Sequence, residues 1–478
     1  MGEGAAVRLA DVLLVAGAAS VAPACNSVFQ CADASSCSLD GVSGFCEADG
    51  FCSFPDPECP SGHRYGEFAP DDLASDCVPT SGTTGTTSTA TGDTTLSLES
   101  GAVETSATSS DSSSTGDVVE PPGCPAPPTC TLFVAPVADA DADGSEDNPF
   151  GTIQPAVDVA LPGDVICVRE GDYEAHVVFA TSGSEGAPIV LRSHPGETAR
   201  LTGGMKIMTG WGVSLGWIVI EELDITQNGG TNPDVGDQCI YFHSAHDVVI
   251  RHNYIHDCNG GGLVGNARDL LVDGNRISRC ALDAVGTAYG GAIGMGGTRI
   301  VVQNNRIERN ASYGVILSAE PWDPKNDANH PEDASYSEAA DWIVSNNVFA
   351  FNQNGAAIRL NNAGATGGTF QNNIVFENNE SAGPNGIEFN GGGGHLVRNN
   401  MFFGTAAAIT DIGSSYIETD SIYEDPQFID PDGTDFRVQE NSPAIDAGIA
   451  DAAPDHDTEC AVRPQGDAVD LGVYERAP

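Results

Sequence analysis

His252-Asn253-Tyr254-Ile255, Gly274-Asn275-Arg276-Ile277, Asn304-Asn305-Arg306-Ile307, Asn346-Asn347-Val348-Phe349, Asn372-Asn373-Ile374-Val375 and Asn399-Asn400-Met401-Phe402 repeat one pattern, an asparagine followed two residues later by an apolar side chain. The anchors Asn253, Asn275, Asn305, Asn347, Asn373 and Asn400 lie 22 to 42 residues apart. Most follow a short apolar run, such as Val248-Val249-Ile250 or Leu270-Leu271-Val272. Self-similarity at such a period marks a solenoid, whose single repeat cannot bury its own core. The shortest spacing fits one coil of three short strands, and the longer ones carry inserted loops. No helical periodicity appears between anchors. The expected fold is therefore all-β, a single-stranded parallel β-helix with coils stacked at about the 4.8 Å strand spacing.

Asparagine suits this role because it tolerates left-handed backbone at a turn and its amide can bond the next coil, giving a ladder. Five residues beyond the first five anchors stand Cys258, Cys280, Asn310, Asn352 and Asn378, which predicts a companion ladder; the sixth coil departs with Thr405. Cys258 and Cys280 are expected to stack, as a disulfide or as neighbouring thiols. At the start, Thr152 is placed to cap a helix carrying Ile153, Ala156, Val157 and Ala160, closed by Pro162-Gly163-Asp164. Such a helix would cover the open end of the solenoid.

The chain before the repeat divides into three expected parts. Residues 1–24 read as an export signal, because an apolar run from Val12 to Ala22 leads to Ala22-Pro23-Ala24 before Cys25. Cys25 is the expected lipidation site, since six further cysteines in residues 25–79 can pair among themselves. That segment is too short for a sufficient core and reads as a disulfide-rich module of an oxidising compartment. Residues 80–123 are dominated by Ser, Thr, Gly, Asp and Ala and read as a disordered linker. The β-helix is expected over 124–420, with a separate end region over 421–478. These parts place the protein outside the cell or on its outer surface, attached to a membrane only through lipid.

The net charge of −49 argues against nucleic acid and anionic membranes as partners. Nothing in the sequence calls for a second subunit, so a monomer is expected.

A resemblance sharpens the fold. Asp147-Asn148-Pro149-Phe150-Gly151-Thr152-Ile153-Gln154, Pro162-Gly163-Asp164, Gly171-Asp172-Tyr173-Glu174 and Ala187-Pro188-Ile189 resemble the entry of pectate-lyase-like right-handed β-helix proteins. Ser442-Pro443-Ala444-Ile445-Asp446-Ala447-Gly448, Arg463-Pro464 and Asp470-Leu471-Gly472-Val473-Tyr474-Glu475 resemble the ends of bacterial surface β-helix proteins. The segment Gly50–Pro55 with Cys59-Pro60-Ser61-Gly62 looks like the Cys-rich modules of myxobacterial surface proteins. The first resemblance implies a right-handed coil, a polysaccharide partner and lyase-type elimination at uronic-acid linkages. It also implies a Lys or Arg base and calcium held by acidic residues. A noncatalytic carbohydrate-binding or adhesive protein, or a structural one, is the competing reading.

Elimination needs a base for the proton α to the uronate carboxylate and a cation to neutralise that carboxylate. The chain has two lysines, so the lysine candidates are Lys206 and Lys325. Trp322, in the long insertion with Lys325, is placed to stack on a sugar. His243, His252, Arg276 and Arg306 are the other carbohydrate-binding candidates, and Arg251, Arg359 and Arg398 extend a candidate arginine stripe. Asp139, Asp141, Asp143 and Asp147 follow the spacing of an oxygen-rich loop and are the calcium candidates. Cys124, Cys130 and Cys167 are expected to supply one disulfide near the cap.

Overall fold

The computed structural model describes short segments between residues 38 and 65, and residues 127–477 save 138, 140, 175, 208–213, 228–237, 283–290, 319–338, 362–364 and 379–385. The signal, Cys25, the linker, Cys124, Trp322 and Lys325 lie outside the described residues. Two compact units divide between Ser112 and Ser113. In the first, strands Phe45–Cys46, Cys52–Pro55 and His63–Tyr65 form an antiparallel sheet, and Cys59 is disulfide-bonded.

The second unit is the β-helix, built from coils of three strands. In one coil these are Ile240–Arg251, bent in its middle to give the first and second strands, and then Tyr254–Cys258. First and second strands join a 19-stranded sheet, while third strands form a nine-stranded one. Pairing between coils is parallel throughout, and aligned residues carry like side chains. Ile255, Ile277, Ile307, Phe349, Val375 and Phe402 form one such inward row, all buried.

The corner between second and third strands sets the register. It is two residues long in every coil from Arg251–Tyr254 to Arg398–Met401. The left-handed residue there is the one before the ladder asparagine: His252, Gly274, Asn304, Asn346, Asn372 and Asn399, with φ of 50–64°. This corrects the expectation that the ladder asparagine itself takes that conformation. The ladder residue is left free to bond. Asn275 Oδ1 accepts from the Asn253 backbone N–H and from its Nδ2, both at 3.0 Å. Asn305, Asn347, Asn373 and Asn400 repeat the arrangement for the coil before each. Each Nδ2 also donates to a second-strand carbonyl of the preceding coil, as Asn347 does to Val302 at 2.8 Å.

A similar corner follows the third strand, where Asn310, Asn352 and Asn378 form a second ladder. The cysteines extend it in a way the sequence did not decide. Cys280 Sγ lies 3.0 Å from Cys258 Sγ, but the disulfide partner of Cys258 is Cys239, at the start of the same coil. Cys280 is a free, buried thiol, and burial pushes its pKa up to about 12. Cys130–Cys167 is the disulfide near the cap. The helix Ile153–Val159 buries Ile153, Ala156 and Val157, while Thr152 occupies the N-cap without a side-chain hydrogen bond, contrary to its expected role.

The end region does more than close the solenoid. In early coils the outward third-strand rows are polar: Tyr254, Arg276 and Arg306, with His256, Ser278 and Glu308. In register with them, later coils carry Val348, Ile374 and Met401, with Ala350, Phe376 and Phe403. This apolar patch packs with Phe428, Phe436, Val438, Leu471 and Val473 into a second core. The left-handed asparagines hold the same segment by its backbone: Asn304 Nδ2 donates to His456 O, Asn346 to Asp470 O, Asn372 to Ile449 O and Asn399 to Ala447 O, at 2.8–3.0 Å. Arg463 inside the segment is buried against Glu475 and donates to the Asp470 and Gly472 carbonyls.

Asn347→Ala removes an acceptor for two donors and a donor to two carbonyls, all buried. The expected loss is at least about 3 kcal/mol, read from the denaturant midpoint at unchanged m-value. The native Cys280 thiol should resist iodoacetamide in mildly alkaline buffer and label only on unfolding, as located by peptide mass spectrometry.

Candidate functional site

Coil length varies mainly in one place. Every insertion of more than one residue among the gaps named above enters or leaves at an end of a first strand, whereas the corner between second and third strands keeps two residues from Arg251–Tyr254 onward and is longer only in an early coil, at residues 194–198. Loops that vary on a rigid scaffold are where function concentrates. The outward row of the first strands is therefore the candidate site. In register it runs Val178, Lys206, Tyr241, Val264, Gly294, Ile316, Arg359, Glu388, Thr410.

This face is long and chemically divided. From Lys206 to Arg359 it crosses five coil steps, about 24 Å at the usual strand spacing. At one end Lys206 sits between Val178 and Tyr241, half-buried. At the other, the Arg359 guanidinium stacks 5.0 Å over the Tyr313 ring, donates to its hydroxyl and lies 3.7 Å from Glu388. Between them Val264, Gly294 and Ile316 are buried, and Ile316 packs with Tyr313 and Ala356. Beyond Gly294, Gly297 has φ +122°, and a Cβ there would stand 1.6 Å from the Ala267 carbonyl oxygen, so only glycine lets the strand pass. A parallel polar edge is formed by Ser318, Asn361 and Asn390, with Asn390 Nδ2 donating to Asn361 Oδ1 at 3.4 Å.

Of the expected binding residues that are described, only His243 lies along this face, two residues beyond Tyr241. His243 ends the first strand beside Tyr241 and is buried. His252 stands at the corner between second and third strands. Arg276 and Arg306 belong to the third-strand sheet, where Arg276 stacks on Tyr254 and pairs with Glu308 at 2.7 Å, and Arg306 donates to the Tyr474 hydroxyl. The arginine stripe divides in the same way, for Arg251 pairs with Glu221 and Arg398 with Asp451, both at second-strand ends. Sequence reasoning missed Tyr241, Tyr313 and Glu388. The apolar residues flanking each were the available signal, but which strand of the coil they belonged to was not.

Asp139, Asp141, Asp143 and Asp147 lie in a loop beside Leu132–Val134, a second-strand position at the capped end. The loop is closed by its own bonds. Hydrogen bonds from the Ser145 side chain and then from its N–H, which donates to Asp143 Oδ1, hold the Asp143 pKa low, and Asn148 Nδ2 donates to Asp141 O. The four acids are exposed and stand apart from Lys206 in the coil.

A charged lattice covers the early third strands. His256 sits between two carboxylates, Nε2 at 2.8 Å from Asp224 and Nδ1 at 2.6 Å from Asp257, with Tyr254 stacked at 4.0 Å. Burial opposes charge on this imidazole, and the two carboxylates reverse the effect and raise its pKa. Arg279 forks onto Asp257 with both bonds at 2.7 Å and holds that carboxyl down at about 2. Arg200, His256, Arg276 and Arg279 each face a carboxylate here.

Comparison with known proteins agrees with this architecture. Residues 132–284 match the family model for a Pel9A-like, right-handed β-helix region, and residues 211–403 match that for a right-handed β-helix region. The solenoid is a right-handed parallel β-helix. Over 81 residues, 16% of the chain, it is 37% identical to pectate lyase PEL9 of Emericella nidulans, covering 20% of that protein. Over 148 residues, 28% of the chain, it is 24% identical to the uncharacterized protein YwoF of Bacillus subtilis, covering 31% of it. The chain thus spans a fifth to a third of these curated relatives. The crystal structure of pectate lyase Pel9A superposes with a TM-score of 0.40 at 16% identity, covering 73% of this chain and 97% of that one.

Asp257 is ionised in the fold down to about pH 2, against an ordinary carboxyl near 3.8. Its depressed pKa contributes stability that is present above about pH 4 and is lost as pH falls toward 2. Urea unfolding across that range should show wild type more stable than Asp257→Asn at neutral pH, with the difference vanishing at the acid end.

Proposed function

We propose that the protein is an exported surface protein whose first-strand face binds an acidic, uronate-type polysaccharide and cleaves it by elimination. The observation that carries this is the row from Lys206 and Tyr241 to Arg359, which sets an amine beside an aromatic ring at one end and a guanidinium on an aromatic ring at the other. The Pel9A-like region, residues 132–284, includes Lys206 and Tyr241. A neighbouring aromatic ring supports a sugar face, while a cation attracts a uronate carboxylate. Arg359 supplies a local cation of the kind a polyanion needs to approach a chain of charge −49.

In this reading Lys206 is the base. Its neutral amine takes the proton α to the carboxylate, the electrons form the ring double bond, and the glycosidic oxygen departs with a proton from water. Calcium is the proposed second cation, with Asp139, Asp141, Asp143 and Asp147 as its candidate ligands; their place at the cap gives it a structural role there. Export is supported by the Cys130–Cys167 and Cys239–Cys258 disulfides, which need an oxidising compartment. Lipid attachment at Cys25 and a monomeric state complete the proposal.

A noncatalytic carbohydrate-binding role is the second reading. It is favoured by Arg359, whose engagement with Tyr313 and Glu388 makes it a fixed contact rather than a reacting group.

The full chain, incubated with pectate, alginate, chondroitin and neutral glycans with and without calcium, should give the ultraviolet absorbance of unsaturated product on a uronate substrate. Lys206→Ala should abolish that product while retaining binding, and Tyr241→Ala should weaken binding at least tenfold. Binding without product in wild type would leave the noncatalytic reading. No binding to any uronate polymer would overturn both the substrate class and the site.

A further inference from the structure

A second constellation lies away from that face, where the end region crosses the corner between second and third strands. His252, Asp273 and His456 come from two successive coils and the end segment, and their ligand-capable atoms all lie within 4.8 Å of one another. The Asp273 side chain is buried and the His456 side chain nearly so. We propose that these three residues bind one divalent transition metal of the zinc class, pinning the end region onto the β-helix.

The donor set decides the metal. Two imidazoles and one carboxylate suit zinc, cobalt or nickel, whereas calcium and magnesium demand oxygen. Tetrahedral bonds of about 2.0–2.1 Å place donors about 3.3 Å apart. His456 Nε2 and Asp273 Oδ2 already stand at 3.2 Å. His252 needs to approach by no more than about 1.5 Å, the difference between that spacing and the outer limit of the cluster.

The ligands are also held from behind, as metal ligands usually are. Asn304 Nδ2 donates to Asp273 Oδ1 at 3.0 Å, which leaves Oδ2 turned to His456. The Asp455 carboxylate lies 2.6 Å from His456 Nδ1 and fixes the ring with Nε2 toward the cluster. Asn304 also donates to the His456 carbonyl, so one side chain positions two ligands. Gly274 completes the cradle, since a Cβ there would stand 2.9 Å from the His252 ring. His252 itself occupies the left-handed position that later coils give to asparagine, so the imidazole is a local departure from the pattern. The fourth position would be taken by water.

The test uses the full chain, stripped with EDTA and titrated with zinc, then with cobalt, in mildly alkaline buffer. Two variants remove an imidazole with little demand on the fold. His252→Asn installs the residue that Asn304 and Asn346 supply at the same corner, and His456→Gln keeps a polar side chain. Circular dichroism checks that both remain folded. One equivalent of zinc should bind wild type, with tetrahedral cobalt absorption, and raise its unfolding temperature. Affinity for that equivalent should fall at least tenfold in each variant, and the thermal gain should disappear. Calcium should produce neither effect. Absence of stoichiometric zinc binding in wild type would overturn the proposal. Zinc binding of equal affinity in His252→Asn or His456→Gln would also overturn it, by placing the metal elsewhere in the chain.

Discussion

A buried turn must find a partner for every backbone N–H, and the two-residue corner of this solenoid meets that demand with one asparagine per coil. The ladder residue accepts from the coil before it and donates back to two carbonyls, so each coil completes its neighbour. Both ends of the third strand work this way. A slip by one residue would expose the inward isoleucines and orphan the ladder together. The register of the coils from Arg251–Tyr254 onward depends on this corner, and its constant length there follows. In those coils the chain lengthens at first-strand ends, where it breaks no ladder.

The left-handed residue beside each ladder asparagine is where the solenoid meets the rest of the chain. Its backbone is fixed, and where it is an asparagine its side chain reaches away from the ladder. Asn304, Asn346, Asn372 and Asn399 use that reach to bind the end region, and His252 turns toward Asp273 and His456 instead. The doubled asparagines thus have two roles, one of which repeats with every coil and the other only where the end segment lies. A covalent tie, Cys239–Cys258, strengthens the coil that carries His252 from within.

Charge is organised with the same economy. Despite the large acidic excess, the cations along the second- and third-strand corners are matched one by one: Arg192 with Glu221 and Glu222, Arg251 with Glu221, Arg276 with Glu308, Arg279 with Asp257. Pairs of this kind contribute little individually. On the first-strand face Arg359 is likewise set against Glu388, while Lys206 has no ion pair among the described residues.

The sequence by itself determined the coil. Ladder asparagines, inward apolar rows and the capping helix are local signals, repeated until chance alignment fails. The switch from Tyr254-Ile255-His256 to Ile374-Val375-Phe376 was also legible in principle, because alternation marks one buried face and a continuous apolar run marks two. Tertiary structure alone decided the rest. The partner of Cys258 is Cys239, because closure of one coil brings them together as effectively as stacking brings Cys280. His252, Asp273 and His456 are up to 204 residues apart in sequence and meet only because the end segment folds back along the corner. Lys206, Tyr241 and Arg359 share a face for the same reason: each coil adds one residue to a row, and a row has no spacing that a linear sequence can show.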